Sequence, residues 1–154
     1  MKKLLCSFEN GVEVYVCNYT YTHMMAHADV DMSHIVEAIS KISPADGQTF
    51  IMQNIDLGRI IGKDNCVAVN EEDDVRIVTR PNRAGQTPIV YNREAEDTSL
   101  INVGLCLDEE DGLWTMFTAF YGILAPKEPW DFRLKDEERE ESIQFWSTHA
   151  LVNQ

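Results

Sequence analysis

Ser99-Leu100-Ile101-Asn102-Val103-Gly104-Leu105-Cys106-Leu107, then Asp108-Glu109-Glu110-Asp111-Gly112, then Leu113-Trp114-Thr115-Met116-Phe117-Thr118-Ala119-Phe120-Tyr121 follow one another without interruption. Two runs rich in apolar, β-branched and aromatic residues flank a short acidic segment that ends in glycine, the pattern of a β-hairpin. The second run is apolar on both faces apart from its two threonines, which predicts a central strand covered on both sides, at least in part.

Further strands are expected on either side of this hairpin. Glu13 to Tyr21 alternates after an Asn10-Gly11 turn, and Thr49 to Leu57, Val75 to Thr79 and Pro88 to Tyr91 read as strands as well. Two stretches carry the helical period. In Asp31 to Ile42, residues Ile35, Ala38, Ile39 and Ile42 share one face behind an Asp31 N-cap, and Ser43-Pro44 and Asp46-Gly47 end the helix. Asp136 to Val152 opens with acids that suit the positive end of a helix dipole, and Ile143, Trp146, Ala150 and Leu151 would form its core stripe. Strands dominate the middle and helices the ends. The expected fold is α+β: a mostly antiparallel twisted sheet with an N-terminal-half helix and a C-terminal helix packed on it. No internal repeat or low-complexity linker interrupts the 154 residues, so a single domain spanning 1–154 is expected.

Thirteen Lys and Arg stand against 26 Asp and Glu, a net charge of −13. A field of that sign argues against holding nucleic acid by non-specific phosphate neutralisation, while leaving room for a local basic pocket. The start, Met1-Lys2-Lys3-Leu4-Leu5-Cys6-Ser7-Phe8, sets charge before apolar residues, but Glu9 and Asn10 cut the run short of a signal peptide, so a first strand and a cytoplasmic protein are expected. No window reaches the length of a membrane span. Cys6, Cys17, Cys66 and Cys106 form no C-x-x-C pair and sit in apolar stretches, which predicts buried free thiols in a reducing compartment. No phosphate-binding loop, dinucleotide fingerprint, nucleophile elbow or kinase signature is present.

Four features carry chemistry. Arg76, Arg80, Arg83 and Arg93 lie in a segment without acids, between Glu71-Glu72-Asp73-Asp74 and Glu94-Ala95-Glu96-Asp97. They either pair with those acids on the surface or form an anion site, since guanidinium forks match phosphate and carboxylate. His23, His27 and His34, with Asp29 and Asp31 between them, are ordinary residues, a metal site, or the home of one general base, His27 before the others. His149 lies one turn beyond Phe145 and Trp146, where an apolar wall would lower its pKa; it is either a base or a packing residue. Thr118, with Tyr121 nearby, must find a hydrogen-bond partner or face a polar cavity.

Arg80-Pro81-Asn82-Arg83-Ala84-Gly85-Gln86-Thr87, Thr118-Ala119-Phe120-Tyr121-Gly122, Glu128-Pro129-Trp130-Asp131 and Phe145-Trp146-Ser147-Thr148-His149-Ala150-Leu151, together with Asp56-Leu57-Gly58-Arg59 and Cys66-Val67, resemble a group of uncharacterised small bacterial and mobile-element proteins over about two-thirds of the chain. That pattern is in turn similar to the barnase–EndoU–colicin–RelE class of toxin ribonucleases. The resemblance implies a metal-independent endoribonuclease without a cofactor. Arg80 and Arg83 would hold phosphate, Thr118 and Tyr121 would orient it, and His149 or His27 would move the proton. RNA or a ribonucleoprotein would be the substrate, and a cognate antitoxin a partner. The charge points instead to a non-catalytic acidic protein of the nucleic-acid-mimic or immunity type. Such a protein would meet a basic partner through Asp108 to Asp111 and Asp136 to Glu141.

Overall fold

Alternation in the flanking segments builds a sheet around the hairpin at positions 100–121. The structure, a computed structural model, describes residues 1–27, 30–80 and 85–153, the side chains of 26 and 27 excepted. Among these residues the strands are β1 (Lys2–Ser7), β2 (Glu13–Cys17), β3 (Phe50–Asp56), β4 (Gly62–Asp64), β5 (Cys66–Ala68), β6 (Val75–Thr79), β7 (Gln86–Val90), β8 (Glu96–Thr98), β9 (Leu100–Leu107), β10 (Trp114–Tyr121) and β11 (His149–Val152). The helices are α1 (Asn18–His27), α2 (Met32–Ile39) and α3 (Asp136–Thr148). The fold is α+β with mostly antiparallel sheets. No helix among the described residues is long and apolar enough to cross a membrane.

The chain forms two compact units. The first comprises Met1–Gly62 and Thr98–Ile123. Its sheet has the order β1-β2-β10-β9-β3, antiparallel except where β10 runs parallel to β2. Asp108 to Gly112 closes the β9–β10 hairpin; Gly112 takes φ +70°, and Lys2 bridges Asp108 and Asp111 at 2.8 Å each. The Asp31 carboxylate accepts from the Ser33 N–H and caps α2, as the sequence predicts. Ile35, Ala38 and Ile39 then pack with Val14, Val16, Val103, Leu105 and Met116 in a closed core. Each fully buried isoleucine contributes roughly 1.5–3 kcal/mol over an exposed one.

The second unit comprises Lys63–Asp97 and Leu124–Gln154. Its sheet has the order β5-β11-β7-β6, with β11 parallel to β7, around a smaller core of Val67, Val90, Ala150 and Val152.

Two predicted elements are corrected. The strand expected over Glu13–Tyr21 stops at Cys17, and α1 follows at once. The helix expected over Asp136–Val152 ends at Thr148. His149 turns to extended backbone (φ −128°, ψ 156°), and its ring stacks flat on Phe145 at 3.9 Å between centroids. Its Nδ1 lies 2.9 Å from the Phe145 carbonyl, the acceptor that a continuing helix would give to the 149 amide. The side chain thus takes over the helix's own bond and releases the backbone to β11, where Leu151 faces Cys66 and Ile89 in the ladders. Ala150 stays buried, but on a strand, while Ile143 is exposed rather than part of a core stripe.

Candidate functional site

The strand β10 carries the clearest irregularity in the first unit. Met116 pairs with Leu105 and Thr118 with Gly104, so Phe117 is an extra residue, a β-bulge that re-aims its neighbours. Gly104 makes room for it: a Cβ there would sit 2.7 Å from the Phe117 ring and 2.8 Å from the Thr118 methyl. Phe117 lies against Phe50, ring centroids 5.8 Å apart at 26°. On its other side opens a groove of about 280 Å³ between β10 and α1, lined among others by Thr20, His23, Met24, Val30, Phe117 and Thr118. Among the described residues the Thr118 hydroxyl has no hydrogen-bond partner, and Thr118 lines the groove.

Tyr121, three residues on, has a different role. Its hydroxyl accepts from the Asp31 N–H at 2.9 Å and lies 2.6 Å from Nδ1 of His34. Gly62 leaves space for the phenol ring, since a Cβ at that position would come within 2.3 Å of it. The histidine that the sequence brings to Tyr121 is therefore His34, on the buried-face side of α2. Sequence reasoning singled it out only as a member of the His23–His34 group. His27 lies in α1 with its side chain outside the described residues, as do Asp29 and Arg83. Among the described residues no three His, Cys, Asp or Glu side chains are gathered to hold a metal ion.

Arg80 and His149 belong to the second unit, Thr118 and Tyr121 to the first. Arg80 lies 3.8 Å from Glu128, whose carboxylate also accepts from the buried Thr87 hydroxyl at 2.8 Å. Glu128 was not foreseen as a partner; the only signal is its position inside the Pro126–Pro129 loop. Gly85 packs against Trp130, where a Cβ would lie 2.2 Å from the indole. The Arg-to-Thr stretch and the Glu-Pro-Trp-Asp stretch thus meet as one packed clamp. Arg76 pairs with Asp74 at 3.0 Å, and Arg93 reaches Asp73 and Glu96 at 3.5 and 3.8 Å. Each described arginine of the 76–93 segment lies against a carboxylate. Of the same loop, Asp131 receives a fork from Arg133 (3.0 and 2.7 Å), which holds its carboxyl down at about 2.

The first turns of α3 differ. Arg139 points inward to the carbonyls of Pro129 and Leu134, Ser142 donates to Lys127 and Trp146 to Pro126. These residues recur at helical spacing on one face and satisfy the carbonyls of the proline loop. Asp136, Glu137, Glu138, Glu140 and Glu141 are left exposed, and none has an ion-pair partner among the described residues. Comparison with protein-family models, curated proteins and solved structures finds no match to this chain.

Proposed function

We propose that the protein is a non-catalytic acidic binding module that engages a basic partner protein through the first turns of α3. The observation that carries this reading is the row of five exposed carboxylates within the six residues 136–141, without an ion pair among the described residues, while Arg76, Arg80 and Arg93 lie against acids of their own unit. Six helical residues span roughly 9 Å, so the row carries one charge per ~1.8 Å, close to the ~1.7 Å of the duplex DNA axis. A cationic surface built to meet phosphates finds a comparable line of charge here. The other acidic stretch is less available, because Lys2 neutralises Asp108 and Asp111.

The test is titration of a lysine- and arginine-rich helical peptide at several salt concentrations. Wild-type protein is expected to bind with affinity falling steeply from 0.05 to 0.3 M NaCl. Glu137→Gln/Glu140→Gln/Glu141→Gln should weaken binding at least tenfold. Glu13→Gln/Glu109→Gln/Glu110→Gln, which removes as much charge elsewhere, should leave it within twofold, and so should Arg80→Gln. Equal losses from both triple variants would reduce the interaction to diffuse attraction and overturn the reading.

A second reading, a metal-independent endoribonuclease, is favoured by one observation: Thr118 and His23 line one groove, bringing a hydroxyl and an imidazole together. It predicts RNA cleavage in the presence of EDTA, giving 2′,3′-cyclic ends, lost in Thr118→Val and His23→Gln. RNA left whole by concentrated wild-type protein rules it out.

A further inference from the structure

The groove in the first unit has features that the acidic-module reading does not use. On one wall Phe117 packs over Gly104 at the bulge and stacks on Phe50, with Phe117 and Phe50 41% and 57% exposed. The α1 side carries a second parallel pair, Tyr19 on His23, with centroids 6.2 Å apart and planes 11° from parallel. Tyr19 is 80% exposed, an arrangement that leaves aromatic surface for another ring. Thr118 lines the groove as well, and its hydroxyl has no hydrogen-bond partner among the described residues. Among the described residues no lysine or arginine lines the groove, and its unit has Lys2, Lys3, Lys41 and Arg59 against eleven acids. An anionic ligand would find no counter-charge there. At about 280 Å³ the groove lies just below the ~300–1,000 Å³ range of sites for drug-sized molecules, which limits the occupant to one or two rings.

We propose that this groove binds a small, uncharged, planar aromatic molecule that stacks on Phe117 and hydrogen-bonds through an amide-like edge to Thr118. The chemical class is that of a free nucleobase or an aromatic carboxamide. A phosphorylated form is disfavoured because no lysine or arginine among the described residues lines the groove. The inference is independent of α3 and stands or falls separately from the binding module.

Methyl-detected NMR of the full chain, titrated with adenine and with benzamide, tests it. Saturable shifts are expected at the methyls of Thr118, Met24 and Val30, with Val67 and Val152 of the second unit unmoved. Adenosine 5′-monophosphate should bind more weakly than adenine; tighter binding would point to a phosphate-bearing ligand and overturn the class. Thr118→Val, of nearly the same shape, should weaken both probes by about three- to tenfold, the loss of one hydrogen bond. Phe117→Leu should weaken both without changing the fold, because the position is already half exposed. Shifts that stay linear to millimolar concentrations, or equal affinity in wild type and both variants, would sink the proposal.

Discussion

Cys17, the last residue of β2, directly precedes α1, with its sulfur 3.0 Å from the Thr20 hydroxyl. That hydrogen bond, joined by the Thr20 and Tyr19 backbone amides, lowers the thiol pKa, whereas burial pushes Cys6 up to about 11 and Cys66 to about 12. Only the thiolate attacks an electrophile, so iodoacetamide at pH 7.5 is expected to label Cys17 well before Cys6 or Cys66. Thr20→Val should slow that labelling severalfold, read by peptide mass; earlier labelling of Cys66 would contradict the assignment. The two raised thiols also make stability depend on alkaline pH. Folding favours their protonated form, so their contribution is whole below the ordinary value of 9.0 and is lost as pH climbs through about 11 and 12. Cys66→Ala should therefore flatten the fall in melting temperature between pH 9 and 12. Asp131 works in the opposite sense: held at about 2 by Arg133, it stabilises above the usual carboxyl range and loses that contribution as pH falls toward 2. All four cysteines are free and partly buried, so the expectation of free thiols holds and that of full burial does not. What marks Cys17 was illegible in the sequence, because Tyr-Thr-Tyr after it has strong β propensity and α1 has no apolar stripe to announce a helix.

At the scale of elements, α2 was legible because its apolar stripe and its cap coincide, and β6 was legible from end to end. The end of α3 was not. Ile143, Trp146, Ala150 and Leu151 satisfy a helical period, yet Ala150 and Leu151 lie in β11, whose ladder partners, β5 and β7, begin more than sixty residues earlier. A local window sees the period and not the partners. The bonds that end and seat α3 are correspondingly specific. Ser142 is fully buried and donates to Lys127 at 2.6 Å, so Ser142→Ala leaves a carbonyl without a donor. That should cost about 1–3 kcal/mol in urea unfolding. His149→Ala removes the stack and the Nδ1 bond together, and amide exchange in the last turn of α3 should quicken while that of α2 stays unchanged. An unchanged exchange rate at 145–148 would mean that β11 alone stops the helix.

For the whole molecule, charge is the property on which the sequence spoke plainly and location is what it withheld. The sum of −13 is fixed by composition, but the sequence joins Arg76, Arg80 and Arg93 into a basic island, and the structure disperses them among Asp74, Glu128, Asp73 and Glu96. The exposed Arg76–Asp74 pair contributes little, ~0–1 kcal/mol, whereas Glu128 and Asp73 are largely buried. Among the described residues the densest run of carboxylates without an ion pair is at 136–141, in the first turns of α3. Acids at a helix N-terminus gain from the macrodipole, but five within six residues also repel one another. The repulsion is screened by salt, since the Debye length falls from ~10 Å at 0.1 M to ~3 Å at 1 M. The melting temperature should therefore rise with NaCl, and Glu137→Gln/Glu140→Gln/Glu141→Gln should start higher and rise less. If the carboxylates were instead held chiefly by the dipole, removing three would lower the melting temperature at low salt, and the variant would respond to NaCl as wild type does. The sign of that one difference at low salt decides whether the anionic face is a strained surface kept for a cationic partner or simply a well-capped helix start.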